Sequence, residues 1–149
     1  MKNIILIITL SLLTTTSFAQ RHKKLELVNF VKEAVEFAKK EGFEKACKEF
    51  ISGTKFKRDE YYIFAYDYKG VVLCHGAKAE LVGKNLIDFK DKKGTELIKD
   101  LIKAAQNKGG FVKYVWPVPN SEEVADKLGY ALPVDEKYWL GSGIYFVKD

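Results

Sequence analysis

Cys74 and His75 are adjacent, and a thiol beside an imidazole is the pairing from which a nucleophile and its base are made. Both end the apolar run Val71-Val72-Leu73-Cys74, which reads as a strand. Neighbouring strand residues point to opposite faces, so these two side chains cannot meet. His75 then has two readings: a strand-end side chain bonded to a backbone carbonyl, or a hydrogen-bond donor at the mouth of a pocket. No G-x-S-x-G, H-E-x-x-H or phosphate-cradling glycine loop occurs, and Glu122-Glu123 fall in a loop that reads as solvated. The expectation is a protein with no catalytic residues. His22, His75, Cys47 and Cys74 lack metal-ligand spacing, so neither a metal nor a cofactor is expected.

Aromatic side chains are the second chemical feature. Tyr62, Tyr66, Tyr114, Trp116 and Tyr130 all fall in segments of strand character, where aromatics serve equally as core or as the wall of a binding site. The two cysteines leave two alternatives open, one disulfide or a pair of buried thiols.

These residues need elements to position them. Apolar residues at Leu27, Phe30, Val31, Ala34, Val35 and Ala38 predict an amphipathic helix over Leu25 to Glu41, stopped by Gly42. Phe43 to Ile51 predicts a second helix. Tyr61 to Tyr66 and Val71 to Cys74 predict a hairpin around Lys69-Gly70. Leu97, Ile98, Leu101, Ile102 and Ala105 predict a third helix, ended by Gly109-Gly110. Strands are predicted at Phe111 to Trp116, Leu128 to Val134 and Trp139 to Val147. In the first of these Val112, Tyr114 and Trp116 share a face. The order predicts an α+β domain, an antiparallel meander with helices on one face.

The 149 residues suffice for one domain with a real core. Residues 1–19 are set apart: Lys2, an apolar run from Ile4 to Leu13, then Ser17-Phe18-Ala19 predict a signal peptide cleaved after Ala19. The stretch is too short and too rich in hydroxyls for a spanning helix. The domain is expected at 20–149, periplasmic or secreted. Its net charge falls from +5 to +4 because only Lys2 leaves. The basic residues are scattered among acids, which argues against nucleic acid as a partner.

From Tyr61 to Asn85 the sequence Y-Y-I-F-A-Y-D-Y-K-G-V-V-L-C-H-G, followed by L-V-G-K-N-L, resembles the signature of the second type of single-Cache sensor domain. The likeness continues in register through Asp91-Lys92-Lys93-Gly94, Gly109-Gly110-Phe111, Tyr114-Val115-Trp116-Pro117, the Lys-x-x-Tyr pair Lys127 and Tyr130, and Gly141-Ser142-Gly143-Ile144-Tyr145. It departs at Gly76 and Asp126, where the family pattern often has proline. The resemblance implies a long N-terminal helix packed on a PAS-like antiparallel sheet. It also implies a pocket on the sheet face for a short organic acid such as acetate, propionate, pyruvate or lactate. With the chain ending at Asp149, it reads as a free-standing Cache domain.

Carried over by position, the family pattern makes Lys127 the point charge for a carboxylate. On its own Lys127 reads only as a surface lysine in a hairpin. Tyr130 and His75 would donate hydrogen bonds, and Tyr66, Tyr114 and Trp116 would form the aromatic wall. A membrane receptor, kinase or transporter is the partner such a domain would address. The alternative function is a protein-interaction module whose pocket is vestigial.

Overall fold

The computed structural model of the chain describes residues 2–58 and 60–146, with side chains from Phe18 onward. Helix α1 spans Lys2–Glu41, and residues Leu27, Phe30, Val31, Ala34, Val35 and Ala38 are all at most 2% exposed. The spacing by three and four lines one face of the helix with apolar carbon, so that face packs on the sheet. Gly42, with φ of 83°, ends α1 in a conformation that favours glycine. Helix α2, Phe43–Ser52, turns back across it. The expected signal peptide, 1–19, falls mostly on residues whose side chains lie outside the described part. Among the described residues no helix is long and apolar enough to cross a membrane.

A short ribbon pairs β1, Lys57–Arg58, with β2, Tyr61–Tyr62. The main sheet contains β3 (Phe64–Asp67), β4 (Val72–His75), β5 (Gly110–Pro117), β6 (Val124–Pro133) and β7 (Tyr138–Phe146). Its order is β4-β3-β7-β6-β5, antiparallel throughout. The last strand is therefore central, and the chain is not the simple meander predicted. Helix α3, Leu97–Gln106, supplies the crossover between β4 and β5.

The single strand expected from Tyr61 to Tyr66 divides at Ile63, because Tyr61–Tyr62 pairs with β1 and Phe64–Asp67 with β4 and β7. Strand β6 begins four residues earlier than predicted, at Val124 rather than Leu128. This places Lys127 inside a central strand instead of in a hairpin loop.

Helices cover both faces, not one. On the first, α1 and α2 pack on Ile63, Ala65, Leu128, Leu140 and Ile144. On the second, α3 packs on Tyr62, Phe64, Tyr66, Tyr114, Trp116 and Trp139. The alternation of strand residues sorts the two sets. The apolar run of α3 could not announce which face it would cover, since that follows from the handedness of a crossover rather than from periodicity.

Cys47 and Cys74 are bridged, with Cα atoms 5.7 Å apart, which resolves the two alternatives for the cysteines. The bond ties α2 to the edge strand β4. Gly76, one of the two departures from the family pattern, donates its N–H to Ile63 O at 2.9 Å. A proline there would lack that donor.

Candidate functional site

Strand β6 carries Lys127 toward the α3 face, and its side chain is 1% exposed. The ammonium donates to Tyr62 Oη at 2.7 Å and to Tyr145 Oη at 3.2 Å. The two phenols are 3.1 Å apart, and Tyr145 donates onward to Pro117 O at 2.8 Å. With that donation Tyr145 is left as the acceptor, so the Tyr62 hydroxyl points its hydrogen at it. Lys127 Nζ also lies 4.1 Å from the Tyr62 ring centre and 4.5 Å from that of Tyr145, close enough for cation–π attraction. No carboxylate of the described residues comes within ion-pair distance. The third N–H of the ammonium meets no acceptor among them.

A charge so placed is costly. Burial holds the Lys127 amine well below its ordinary value of 10.5, and Glu60 opposes this only in part. Burial likewise pushes the Tyr62 and Tyr114 phenols far up, and holds Tyr145 at about 12. The hydroxyls stay protonated and neutral, so they solvate the amine without neutralising it.

His75 ends β4 and is 2% exposed. Its Nδ1 accepts from the backbone N–H of Lys78 at 3.0 Å and of Ala77 at 3.3 Å. The ring is therefore fixed by accepting amides, not by bonding a carbonyl. In the neutral imidazole this puts the proton on Nε2. Burial, aided by Lys127 and Lys78, lowers its pKa to about 3, so neutral it is. The imidazole lies 5.1 Å from the Tyr62 ring and 6.1 Å from both Phe64 and Trp116. Lys127 and His75 thus flank the same tyrosine.

Five of the six residues expected at the site share this face: Tyr66, His75, Tyr114, Trp116 and Lys127. Tyr66 is packed on Trp139, ring planes 11° apart and centres at 5.2 Å. Tyr130 does not join them. It stands three residues from Lys127 in the same strand, and an odd separation sends it to the opposite face. There it packs under α1 and against Phe111, ring centres 4.9 Å apart. The site gains Phe64, Tyr62 and Tyr145 in exchange. Tyr62, Phe64 and Tyr66 alternate in sequence, and that spacing was the legible sign. Tyr145 offered none, because it is brought to Tyr62 across 83 residues.

Two spaces open here. Tyr62, Phe64, Tyr66, His75, Tyr114 and Trp116, roofed by Leu97, Ile98 and Leu101 of α3, enclose a cavity of about 10 Å³. That is room for about one water. A cleft of about 290 Å³ adjoins it, bordered by Lys93, Thr95, Lys113, Tyr114, Asp126 and Lys127. Tyr114 borders both. Asp126, the other departure from the family pattern, ion-pairs with Lys93 across the cleft. Asp91 holds the cleft's rim: its Oδ1 accepts from Lys93 N at 2.8 Å and Thr95 N at 2.9 Å, its Oδ2 from Val115 N at 2.7 Å. Burial alone would raise the Asp91 carboxyl, but these amides outweigh it and hold it below its ordinary value. Among the described residues no cluster of His, Cys, Asp and Glu could hold a metal.

An antiparallel sheet with its last strand central, a long helix on one face and an aromatic pocket under a crossover helix on the other define a small sensor module. The Cache domain model matches residues 14–148, and the chain belongs to that family. Over 96 residues it is 32% identical to the sensor histidine kinase MctS of Rhizobium johnstonii, covering 64% of this chain. Over 83 residues it is 37% identical to the methyl-accepting chemotaxis protein CtpM of Pseudomonas aeruginosa, covering 55% of this chain. It spans only 21% and 15% of the lengths of those two proteins.

Among solved structures, a methyl-accepting chemotaxis protein of Vibrio parahaemolyticus matches with a TM-score of 0.76 and 31% identity, over 91% of this chain and 96% of that one. A Cache chemosensory domain described for carboxylic acid recognition shares the fold, with a TM-score of 0.73 and 22% identity, over 88% of this chain and 98% of that one. The chain is thus a Cache sensor domain of the kind found in chemoreceptors and histidine kinases.

Proposed function

We propose that the domain works outside the cytoplasm as the binding site for a short monocarboxylate such as acetate, propionate, pyruvate or lactate, which it presents to a membrane receptor, kinase or transporter. One observation carries this reading: the Lys127 amine is buried with two hydroxyl partners and no counter-ion among the described residues, and a carboxylate beside it would favour its charged form. A carboxylate leaving water needs a fixed cation or several donors to offset its desolvation. Lys127 and His75 both lie beside Tyr62, so each has an N–H to offer a carboxylate there, and the surrounding rings suit a short carbon tail. A charge-assisted hydrogen bond contributes roughly 1.5–3 kcal/mol, enough to orient a ligand of few atoms.

The carboxylic acid recognition named for one structural neighbour supports the ligand class, although that neighbour's likeness by itself speaks only for the fold. The cleft beside Tyr114 is the way in, and the inner cavity must widen by movement of α3 to take the tail. Its present size is also what favours the second reading, a protein-interaction module with a vestigial pocket.

Calorimetry with the four acids on wild type and Lys127→Ala separates the readings. Wild type should bind at least one acid, and the variant should lose about tenfold or more in affinity while keeping its fold. Equal affinity in both proteins removes Lys127 from the site. No binding by wild type leaves the interaction module.

A further inference from the structure

Three glycines lie within β6 and β7 on the α3 face. Gly129 stands opposite Gly143, and Gly141 opposite Ala131. None is among the residues with left-handed backbone, so no turn or positive φ calls for glycine at these places. Glycine inside a strand weakens it and marks a close approach by something else. A carbon placed on Gly129 would stand 2.7 Å from Tyr114 Cε1 and 3.0 Å from its hydroxyl. One on Gly141 would stand 2.7 Å from Phe64 Cζ. One on Gly143 would stand 2.5 Å from Lys127 Cε and 3.1 Å from its Cγ. Ordinary carbon contacts lie near 3.5–4.0 Å. The space each missing side chain would fill is taken by a residue of the site, joined at Gly141 by Tyr130 O at 3.0 Å and at Gly143 by Leu128 O at 2.9 Å.

The three occupants arrive from different strands. Tyr114 of β5 leans across β6, Phe64 of β3 leans across β7, and the stem of Lys127 lies across β7 from the other side. We propose that Gly129, Gly141 and Gly143 are the positioning residues of this pocket: a floor without side chains on which Tyr114, Phe64 and Lys127 are laid so that charge and aromatic wall converge. Gly143 sets where the ammonium stands, and with it the preference for an acid. Gly129 and Gly141 set how deep the aromatic wall lies, and with it the length of tail admitted. The ligand consequences rest on the carboxylate reading above; the seating of Lys127 does not.

Two measurements test this. The first needs no ligand. Folded protein is treated with N-hydroxysuccinimide acetate, and labelling of Lys127 is read by peptide mass spectrometry against exposed Lys113. Wild-type Lys127 should be protected, Gly143→Ala should raise its labelling about tenfold or more, and Gly129→Ala should leave it at the wild-type level. Gly143→Ala that melts normally with Lys127 still protected overturns the inference. If Gly143→Ala does not fold, Lys127→Ala/Gly143→Ala should regain part of its stability because the obstructing stem is gone, while Leu128 O remains close. A double variant melting no higher than the single one overturns it as well.

The second measurement compares propionate with propionamide by calorimetry. Gly143→Ala should lose the acid-over-amide preference by about tenfold, the factor a charge-assisted bond supplies. Gly129→Ala should keep that preference and bind longer acids less well. An unchanged preference in Gly143→Ala counts against the floor. Wild type binding neither compound would instead overturn the carboxylate reading, and the labelling result would still decide the seating of Lys127.

Discussion

A lysine held among three aromatic rings and two hydroxyls stays there against the preference of its charge for water. In the unfolded chain Lys127 titrates near 10.5, while burial lowers it in the fold. Between those two values the unfolded chain binds the extra proton, so stability rises with pH across that window. Lys127→Met should therefore be more stable than wild type at neutral pH, by about 1–3 kcal/mol, as when buried charges give way to packed apolar groups. The gap should narrow as pH rises toward about 10. Denaturant unfolding of both proteins across that range checks this; a gap independent of pH through the window would refute it. His75, held at about 3 in the fold, acts in the same sense at lower pH: the unfolded chain takes up its proton near the ordinary 6.5, so stability falls as pH drops below that value. Ser142 poses the opposite case: its Oγ is buried without a partner among the described residues, and no role for it emerges from the site.

At the scale of elements, β4 depends on what anchors it, because it is an edge strand of four residues that carries His75. Its inner edge pairs with β3, and its outer end is tied to α2 by the disulfide across 27 residues of sequence. Closing a loop of that length removes conformational freedom from the unfolded chain. Reduction should cost roughly 2–4 kcal/mol. Alkylation of native, unreduced protein followed by mass analysis should find neither Cys47 nor Cys74 modified, and melts with and without reductant should differ accordingly. Two alkylated cysteines in the native protein would end this account.

For the whole molecule the sheet divides labour between its faces. One is filled by α1 and α2 with aliphatic and phenyl packing, and the other holds the polar aromatic site under α3. The end of β7 and the stretch of α1 near Gln20 border the same cleft, together with Lys93 and Lys113. The mature chain should begin at Gln20, since Ser17-Phe18-Ala19 alone offers small residues where a signal peptidase reads them. Intact mass of exported material decides this. A retained Met1 in the membrane fraction would mean that the segment is an anchor.

Periodicity is a local property, and whatever depends on it is legible in the sequence. The apolar stripe of α1, the stop at Gly42, the amphipathic α3 and the shared face of Val112, Tyr114 and Trp116 all follow from residues a few positions apart. So did the family, whose spaced motifs run in one order along the chain. Which residues face each other across the sheet depends on strand pairing between distant segments, and that only the tertiary structure decided. Tyr62 and Tyr145 meet over Lys127 because β7 inserts between β3 and β6. Tyr130 leaves the site because β6 starts at Val124 and runs unbroken through Lys127, so strict alternation applies between the two. Of the three glycines under the site, Gly141 and Gly143 read from sequence as part of a motif without a reason, and Gly129 gave no sign. Their reason appears once the side chains of three other strand positions are seen lying across them.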